Sequence, residues 1–328
     1  MKIPECPPSL ENLLDPEAAT DEQRGRLNRV IRLLPTETGK DRGSEYLHWE
    51  RLKYKPLPEG VESHEDWWTI TKFRRMSLYR QLPLLAKDGK PFQYWLPDPS
   101  QQRLHLVDQQ AGGRIEISEQ VTNPNSRDRY LVNSLIEEAI TSSQLEGAST
   151  THKVAKAMLR EGRKPRDKSE QMIFNNYRAM SFIREEAASS LTPELIFELH
   201  RIVTADTLHD SSAEGRLRKP GEEIVVYDSR DNTLLHSPPP AEELNERLKT
   251  LCEFANRSSH TEEFLHPVVR SIILHFMIGY DHPFVDGNGR TARALFYWSM
   301  AHHGYWLMEY VSISTILKSG PSKYARAY

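Results

Sequence analysis

Cysteine is nearly absent from this sequence. Its 328 residues contain two cysteines, Cys6 and Cys252, which lie far apart in the chain. A disulfide-stabilised scaffold needs several cysteine pairs, and a zinc or redox site needs cysteines at short fixed spacing. The sequence therefore excludes both classes, and the fold has to depend on a hydrophobic core. Hydrophobic residues make up 38% and charged residues 27% of the chain, which is typical of a globular protein with such a core.

Long apolar runs and a strong net charge are also missing. The longest apolar stretch, residues 268–280, is interrupted by Arg270 and His275 and is too short to cross a bilayer. Residues 1–13 contain no apolar signal core. The net charge of −3 gives no general attraction to nucleic acid or to an anionic membrane. We therefore expect a cytoplasmic protein that binds neither nucleic acid nor membrane.

A glycine-containing loop followed by a helix is the most informative pattern in the sequence. It occupies residues 281–293, which read DHPFVDGNGRTAR. Gly287 and Gly289 allow consecutive backbone N–H groups to face one anion. Residues 290–300 lack glycine and proline and have apolar side chains at helical spacing, so a helix should begin here with its free N–H donors beside the loop. The pattern predicts a phosphate-binding site.

The charged side chains of this segment have the chemistry that a nucleotide site requires. Arg290 and Arg293 are three positions apart, on one side of the helix, and can bind phosphate oxygens. Asp286 provides a hard oxygen ligand for a Mg²⁺ ion carried by the nucleotide. His282 titrates near neutral pH and can act as a base. Each residue alone would equally fit a capped helix after a polar turn, and only the complete set favours a nucleotide site.

The segment resembles the signature of the Fic family, His-x-Phe-x-(Asp/Glu)-Gly-Asn-Gly-Arg-x-x-Arg. Every defined position of that signature is present. The resemblance implies an all-helical enzyme that transfers AMP from ATP to a hydroxyl of a target protein. It implies that His282 deprotonates the hydroxyl and that Asp286 holds Mg²⁺. It also implies that the remaining signature residues bind the nucleotide: Phe284, Gly287, Asn288, Gly289, Arg290 and Arg293.

The resemblance also assigns phosphates and partners. Asn288, the glycine N–H groups and Arg290 would bind the α- and β-phosphates, and Arg293 would reach the γ-phosphate. The partner would be a protein that presents a Ser, Thr or Tyr hydroxyl. Self-modification and a homodimer are both compatible with the sequence, which decides neither. One departure is Asp281, where the family usually has an apolar residue; its carboxylate would raise the pKa of His282 and orient the ring, or point to solvent.

A second stretch that resembles the family lies at the end of a helix predicted over residues 129–147. Ser142, Glu146 and Gly147 match the Fic inhibitory motif, (Ser/Thr)-x-x-x-Glu-(Gly/Asn). Gly147 is suited to a left-handed helix cap. A glutamate at a helix C-terminus lies at the unfavourable end of the helix dipole, which favours a role in pairing with an arginine elsewhere. The resemblance implies that Glu146 pairs with Arg293, prevents productive placement of the γ-phosphate, and so inhibits the chain from within.

The remaining pattern predicts a mainly α fold: a Fic-type helical bundle with a small β-hairpin flap, preceded by a smaller mixed N-terminal region. We expect the bundle to cover residues 125–328 and the flap to lie within residues 215–240. In the family this flap binds an extended segment of the target along its edge. The β-branched run that marks it is Ile224, Val225, Val226 and Tyr227. Further helices are predicted over residues 151–160, 169–186, 194–205, 241–256 and 266–280. His200 and His275 are interpreted as structural histidines, because no pair of histidines has zinc spacing.

Residues 1–124 differ from this helical pattern. They contain four tryptophans, which we interpret as core residues because basic residues do not alternate with them: Trp49, Trp67, Trp68 and Trp95. Alternating runs at residues 92–96, 104–107 and 114–117 predict strands, with a hairpin turn at residues 111–113. At the other end, residues 322–328 read as the start of a helix, so we expect the chain to continue.

Three other functions fit parts of the pattern. Phosphate transfer is found in the Doc branch of the fold, in which a bulkier residue replaces the second glycine, and Gly289 argues against it. Removal of AMP from modified proteins, with Glu146 positioning a water molecule, is left open as a second activity. A nucleotide-sensing adaptor without catalysis is disfavoured by His282 and Asp286, because a binding module needs no base.

Overall fold

A computed structural model of the chain describes residues 5–9, 20–35, 46–111, 124–222, 224–227, 232, 234–257 and 264–327. The chain divides into two compact units. One unit comprises Lys2–Leu82 and Pro91–His105, and the other comprises Pro83–Lys90 and Leu106–Tyr328. The division into residues 1–124 and 125–328 follows the sequence pattern and stays a prediction. In the described parts of the chain, no helix combines the length and apolarity that a membrane span requires.

The first unit contains the helices α1 (Asp21–Leu33), α2 (Trp49–Leu52) and α3 (His64–Met76). Thr20 begins α1 through a capping box with Gln23, and Ser63 caps α3 by accepting from the N–H of Asp66. One hydrophobic cluster fills the space between these helices: Val30, Trp49, Leu52, Val61, Trp67, Trp68 and Ile70. Three of the four tryptophans are therefore core residues, as the sequence predicts.

Two strands and a helix follow along the chain. Strands β1 (Arg80–Leu85) and β2 (Pro91–Tyr94) form a two-stranded sheet. Helix α4 spans Asp98–Ala111, so the strand predicted at residues 104–107, and with it the hairpin, is wrong. The alternation over these few residues is too short to separate a strand from a helix. Asp98 and Pro99 in the first turn favour a helix start instead. The other half of the predicted hairpin, residues 112–117, lies outside the described residues.

The second unit confirms the predicted mainly α fold. Its principal helices are α5 (Pro124–Leu145), α6 (His152–Glu161), α7 (Lys168–Glu185), α8 (Pro193–Thr204), α9 (Leu244–Asn256), α10 (Pro267–Asp281), α11 (Asn288–His302), α12 (Ile313–Ser319) and α13 (Pro321–Ala327). The small sheet of this unit pairs β3 (Val226–Tyr227) with β4 (Leu234–His236) in antiparallel fashion. It is the predicted β-hairpin flap, and residues 223, 228–231 and 233 of the flap region lie outside the described residues.

Helices α10 and α11 pack against each other at the centre of the second unit. Leu274 and Ile278 of α10 and Trp298 of α11 are fully buried. The indole N–H of Trp298 donates to the carbonyl of Glu186 at 3.0 Å, so burial of this large side chain leaves no polar atom unpaired. Because both central helices are held by the surrounding bundle, the loop between them, residues 282–287, has rigid supports at both ends.

Candidate functional site

His282 lies where α10 ends. It is the left-handed cap of this helix, with φ 44° and ψ 56°, and Pro283 prevents the helix from continuing. The ring Nδ1 donates to the carbonyl of Gly279 at 3.1 Å. Nε2 is therefore the nitrogen that is left to accept a proton. Burial lowers the pKa of His282, which favours the neutral ring that a base requires.

His200 of α8 fixes the middle of the loop. Its ring stacks on Phe284, with centroids 3.8 Å apart and planes inclined by 8°. Nε2 donates to the carbonyl of Asp286 at 2.9 Å, and Nδ1 accepts from the N–H of Gly215 at 3.0 Å. Both bonds together require the neutral ring, and burial lowers the pKa of His200 from 6.5 to about 4. His200 therefore acts as a structural histidine that supports the site.

Asn288 and Gly287 give the loop its shape. The Asn288 side chain accepts from the N–H of Phe284 at 3.0 Å and donates to its carbonyl at 2.8 Å. Gly287 has φ 83°, and a Cβ there would lie 2.7 Å from the Thr204 methyl carbon, so this position requires glycine. Phe284 is fully buried. In the structure Phe284 and Asn288 thus bond to the loop itself, and their predicted contacts with a nucleotide stay predictions.

Asp286 and Arg290 lie at the start of α11. The Asp286 side chain is 56% exposed, and its Oδ1 accepts from the N–H of Gly287 at 2.5 Å. Arg290 is 1% exposed, and one of its terminal nitrogens donates to the carbonyl of Val203 at 2.9 Å. Among the described residues its buried Nε has no partner. The site therefore combines an accessible carboxylate with a spare guanidinium donor.

Arg293 binds the end of helix α5, as the resemblance implies. Its Nε donates to the Ser142 hydroxyl at 2.7 Å, and one terminal nitrogen donates to the Ser142 carbonyl at 3.1 Å. The same nitrogen donates to Oε1 of Glu146 at 2.7 Å. Arg293 is 4% exposed; burial by itself would lower its pKa, but the charge of Glu146 beside it keeps the pKa raised. Nε and one terminal nitrogen of the guanidinium are thus bound by the upstream motif.

Glu146 also lies against the first turn of α11. A Cβ built on Gly289 would lie 2.2 Å from Oε1 of Glu146, so the carboxylate is in close contact with the backbone of that glycine. Glu146 directly follows α5, and Gly147 continues with φ 91°, the left-handed conformation expected of it. Free N–H donors and the positive end of the helix dipole attract anions at this place. In the structure, the anion found there is the carboxylate of Glu146.

Asp281 behaves in neither of the two ways expected of it. It is 4% exposed, so it does not point to solvent. Its Oδ1 accepts two bonds from Arg247 of α9, at 2.9 Å from Nε and 2.7 Å from a terminal nitrogen. Burial raises the pKa of Asp281, and the bond with Arg247 opposes this increase. Asp281 therefore belongs to the packing of α9 against α10, and it does not orient the ring of His282.

The flap lies beside the loop. The described part of its apolar run is mostly accessible, with Val225 40% and Tyr227 53% exposed, while Ile224 and Val226 are half-buried. His236 of β4 bonds through Nε2 to the carbonyl of Tyr280 at 2.6 Å, which joins the flap to the end of α10. The role of residues 224–227 in binding a target stays a prediction.

Arg218 is a residue of the site that sequence reasoning missed. It is 6% exposed and donates from Nε to the carbonyl of His282 at 2.9 Å. Its backbone N–H donates to the carbonyl of Pro283, also at 2.9 Å. The two segments are 64 positions apart and bonded through backbone carbonyls, which any residue type provides. No motif or spacing in the sequence could have revealed this contact.

A resident metal centre is not evident in the described parts of the chain, where no group of three or more His, Cys, Asp or Glu side chains converges. The structure also leaves the predicted ligand, Asp286, accessible at the edge of the loop. A single accessible carboxylate fits a Mg²⁺ ion that arrives with phosphate oxygens already bound to it. Such an ion does not need a set of protein ligands of its own.

Comparison with known proteins points to one family. Residues 190–300 match the family model described as Fic/DOC family. The chain is 34% identical over 110 residues to the protein adenylyltransferase Fic of Nematostella vectensis, covering 34% of this chain and 23% of that protein. It is 30% identical over 122 residues to a uridine 5'-monophosphate transferase of Xanthomonas campestris, covering 36% of this chain and 22% of that protein. The matches thus span less than a quarter of the length of these curated relatives.

Solved structures agree on the fold. A Fic family protein from Desulfovibrio desulfuricans has a TM-score of 0.54 at 22% identity, covering 71% of this chain and 66% of that chain. A Fic-domain protein from Bacteroides thetaiotaomicron has a TM-score of 0.50 at 23% identity, covering 62% and 72%. The family model includes the loop between α10 and α11 together with α8 and the flap. Residues 190–300 are therefore a Fic domain, which contains the loop between α10 and α11.

Proposed function

We propose that this protein transfers AMP from ATP to a hydroxyl side chain of a target protein and of its own chain, and that Glu146 restrains this activity. The observation that carries the proposal is the arrangement at the start of α11. There His282, with Nε2 free to accept a proton, lies in the same loop as the accessible Asp286 and the helix N-terminus. Curated relatives named protein adenylyltransferase support the choice of AMP as the transferred group.

In the proposed reaction His282 acts on the acceptor. The target hydroxyl oxygen forms a bond with the α-phosphorus of ATP while the bond between that phosphorus and the leaving pyrophosphate breaks. The hydroxyl proton passes to Nε2 of His282. The bond from Nδ1 to the Gly279 carbonyl holds the ring in the tautomer that permits this. Positioning and charge stabilisation provide most of the rate enhancement in such transfers.

The phosphates would bind along the N-terminus of α11. The N–H groups of its first turn and the guanidinium of Arg290, whose buried Nε has no partner among the described residues, would donate to phosphate oxygens. Asp286 would hold the Mg²⁺ ion, which offsets phosphate charge when it is bound. Arg293 would take the γ-phosphate, provided that it leaves Glu146. The chain thus has a donor group for each part of the triphosphate.

Inhibition follows from the same contacts. Glu146 binds the arginine that the γ-phosphate would need, and it lies against the backbone of Gly289, where phosphate would approach. A carboxylate and a phosphate cannot use the same donors at once. We therefore infer that the chain with Glu146 in place binds ATP in an unproductive position and transfers AMP slowly.

The test uses ATP labelled either at the α- or at the γ-phosphate. We expect wild type to incorporate little label, and Glu146→Gly to incorporate α-label into itself strongly. Incorporation of γ-label instead would indicate phosphate transfer, and UTP labelled at the α-phosphate tests transfer of UMP, the group named for one relative. Glu161→Gly is the matched control, because Glu161 is also a carboxylate at the end of a helix, α6, but lies outside the site.

A second variant tests the base. In the Glu146→Gly background, His282→Ala should abolish incorporation while ATP affinity stays within a few-fold, because the His282 ring bonds to Gly279 and not to the helix N-terminus. Undiminished labelling by the double variant would contradict the role of His282. If no variant incorporates label from any nucleotide while ATP still binds, an adaptor function replaces the proposal. Release of AMP from a labelled protein would identify the reverse activity.

A further inference from the structure

A buried arginine joins the flap to the base of the proposed reaction. Arg218 lies between the short 3-10 turn Ser211–Ala213 and the flap, and it is 6% exposed. Its Nε donates to the His282 carbonyl at 2.9 Å, and one terminal nitrogen donates to the Pro239 carbonyl. Its backbone N–H donates to the Pro283 carbonyl at 2.9 Å. Every one of these acceptors is a backbone carbonyl.

Burying the guanidinium of Arg218 without a hydrogen-bonded carboxylate is energetically unfavourable. Among the described residues, no carboxylate accepts a hydrogen bond from Arg218, whereas Arg216, in the same segment, pairs with Glu222 through two such bonds. Burial lowers the pKa of Arg218, and Asp281 and Glu242 act on it only through their charge. Removing a guanidinium from water without a direct counter-charge is unfavourable. The hydrogen bonds of Arg218 to the three backbone carbonyls must therefore offset the free-energy cost of removing its guanidinium from water.

The two side-chain contacts of Arg218 lie at functionally different places. The His282 carbonyl belongs to a residue with φ 44°, a conformation that non-glycine residues rarely adopt. Holding that carbonyl restricts the backbone that carries the imidazole. The Pro239 carbonyl lies just after β4, at the base of the flap. A planar guanidinium with a fixed fork sets the distance between these two places.

We propose that Arg218 is a positioning residue that fixes the flap relative to His282, so that an acceptor hydroxyl held by the flap lies within reach of Nε2. The inference rests on the proposed function, in which His282 takes the proton, and on the prediction that the flap binds the acceptor segment. It adds a residue outside the signature whose effect is on the acceptor and not on the nucleotide. The contacts of Arg218 are with His282, Pro283 and Pro239, none of which belongs to α11.

Arg218 also acts on His282 through its charge. The polar groups that face this ring are the Gly279 carbonyl, His236 of the flap, Arg218, and Glu146 after α5. Burial is the main cause of the lowered pKa of His282, and the charges of His236 and Arg218 lower it further, while Gly279 and Glu146 raise it. Removing the charge of Arg218 should therefore raise the pKa of His282. Since the base must be neutral, the acid limb of the rate against pH should move to higher pH.

The experiment compares Arg218→Met, Arg218→Lys and the control Arg216→Met, each in the Glu146→Gly background. We expect Arg218→Met to lower kcat for self-modification by at least about tenfold, with the KM for ATP within about twofold. The acid limb should move to higher pH in this variant. Arg218→Lys should restore the pH profile in large part, because it keeps the charge, and restore kcat less, because it lacks the fork. Arg216→Met should leave all three quantities close to the parent.

A second readout does not depend on activity. The pKa of the His282 ring, measured by NMR titration of the folded proteins, should rise in Arg218→Met and stay unchanged in Arg216→Met. An unchanged kcat or an unchanged pKa of His282 in folded Arg218→Met would overturn the inference. If the Glu146→Gly parent incorporates no label, the proposed function fails. The role of Arg218 as a positioning residue is then decided by the pKa of the His282 ring and by the protection of the flap from proteolysis. An equal rate of flap cleavage in Arg218→Met and parent would then reject it.

Discussion

His200 makes its two loop contacts only while its ring is neutral. Nδ1 accepts a bond from Gly215, and protonation of this nitrogen would break that bond. The pKa of His200 is lowered from 6.5 to about 4 by burial. The neutral ring therefore contributes its stability in full above pH 6.5, and this contribution is lost as the pH falls towards 4.

We predict from this a loss of unfolding free energy on mild acidification. Between pH 6.5 and pH 5, one such histidine should account for about 2 kcal/mol. In His200→Gln this part of the pH dependence should disappear, and in His152→Gln it should remain, because His152 is exposed. Urea unfolding at several pH values measures the difference. The same acid dependence in wild type and His200→Gln would show that His200 is not the group responsible.

Helices α5 and α11 are joined by side-chain hydrogen bonds, and the bonded residues are spaced about one turn apart on each helix. Ser142 and Glu146 bind Arg293, and one turn earlier Glu138 accepts a bond from the hydroxyl of Tyr297 at 2.9 Å. Residues at i and i+4 lie on one face of a helix, so the same two faces meet along several turns. The position of Glu146 is therefore set by the whole helix α5 and not by one ion pair.

This arrangement predicts a nucleotide-dependent change in stability. Glu146→Gly removes the charged partner of Arg293, which is buried, so the melting temperature without nucleotide should fall. The loss should correspond to about 1–3 kcal/mol, moderated because the Glu146 side chain is 33% exposed. With ATP and Mg²⁺ the γ-phosphate should replace the carboxylate, and the difference from wild type should shrink. Thermal melting with and without nucleotide measures this, with Glu161→Gly as the control. If the difference in melting temperature between Glu146→Gly and wild type is the same with and without ATP, the pairing is contradicted.

At the scale of elements, the sequence predicts those structures that local spacing determines. The helix predicted over residues 194–205 is found as Pro193–Thr204, because Thr192 caps it and Pro193 fits its first turn. The error at residues 104–107 has the opposite cause. Helix α4 has no buried residue, so no burial pattern marks it in the sequence. The short alternation of apolar and polar residues at 104–107 favoured a strand and outweighed the helix start that Asp98 and Pro99 indicate.

The residues of the candidate site also fall into two groups, those that the sequence could predict and those that it could not. The signature and the motif around Glu146 were predictable because each is a set of side chains at fixed spacing. The supports of the site were not, because His200 and Arg218 bond to backbone carbonyls that any sequence provides. The partner of Asp281 was missed for a related reason. Arg247 reaches it from α9, 34 positions earlier, and nothing in either segment marks the pairing.

At the scale of the second unit, Arg247 joins three distant parts of the chain. It bonds to Asp281 of α10 at 2.7 Å and to the carbonyl of Leu85 in β1 at 2.6 Å. Nearby, the N–H of Lys87 donates to the hydroxyl of Tyr280 at 3.0 Å. An early segment of the chain is thus held against the helix that leads to His282.

We predict that Arg247→Leu destabilises the protein more than the double variant Arg247→Leu, Asp281→Leu does. The single change leaves the buried carboxylate of Asp281 without its guanidinium, which costs about 3–5 kcal/mol for a buried pair. Replacing both partners by apolar residues removes that penalty. Urea unfolding of the two variants provides the comparison. Equal unfolding free energies of the single and the double variant would mean that water, and not Arg247, provides the hydrogen bonds of the Asp281 carboxylate.

The pairing of Glu146 with Arg293 has a further consequence, because the two residues belong to one chain, 147 positions apart. Glu146 can be regarded as a tethered ligand, whose effective concentration at the arginine is set by the fold and is on the order of millimolar or higher. An inhibitor on a separate chain dissociates when the protein is diluted, but a tethered one does not. The restraint that we propose should therefore be the same in every molecule, at any protein concentration. The competing γ-phosphate has to exceed that effective concentration, or a structural change in α5 has to lower it.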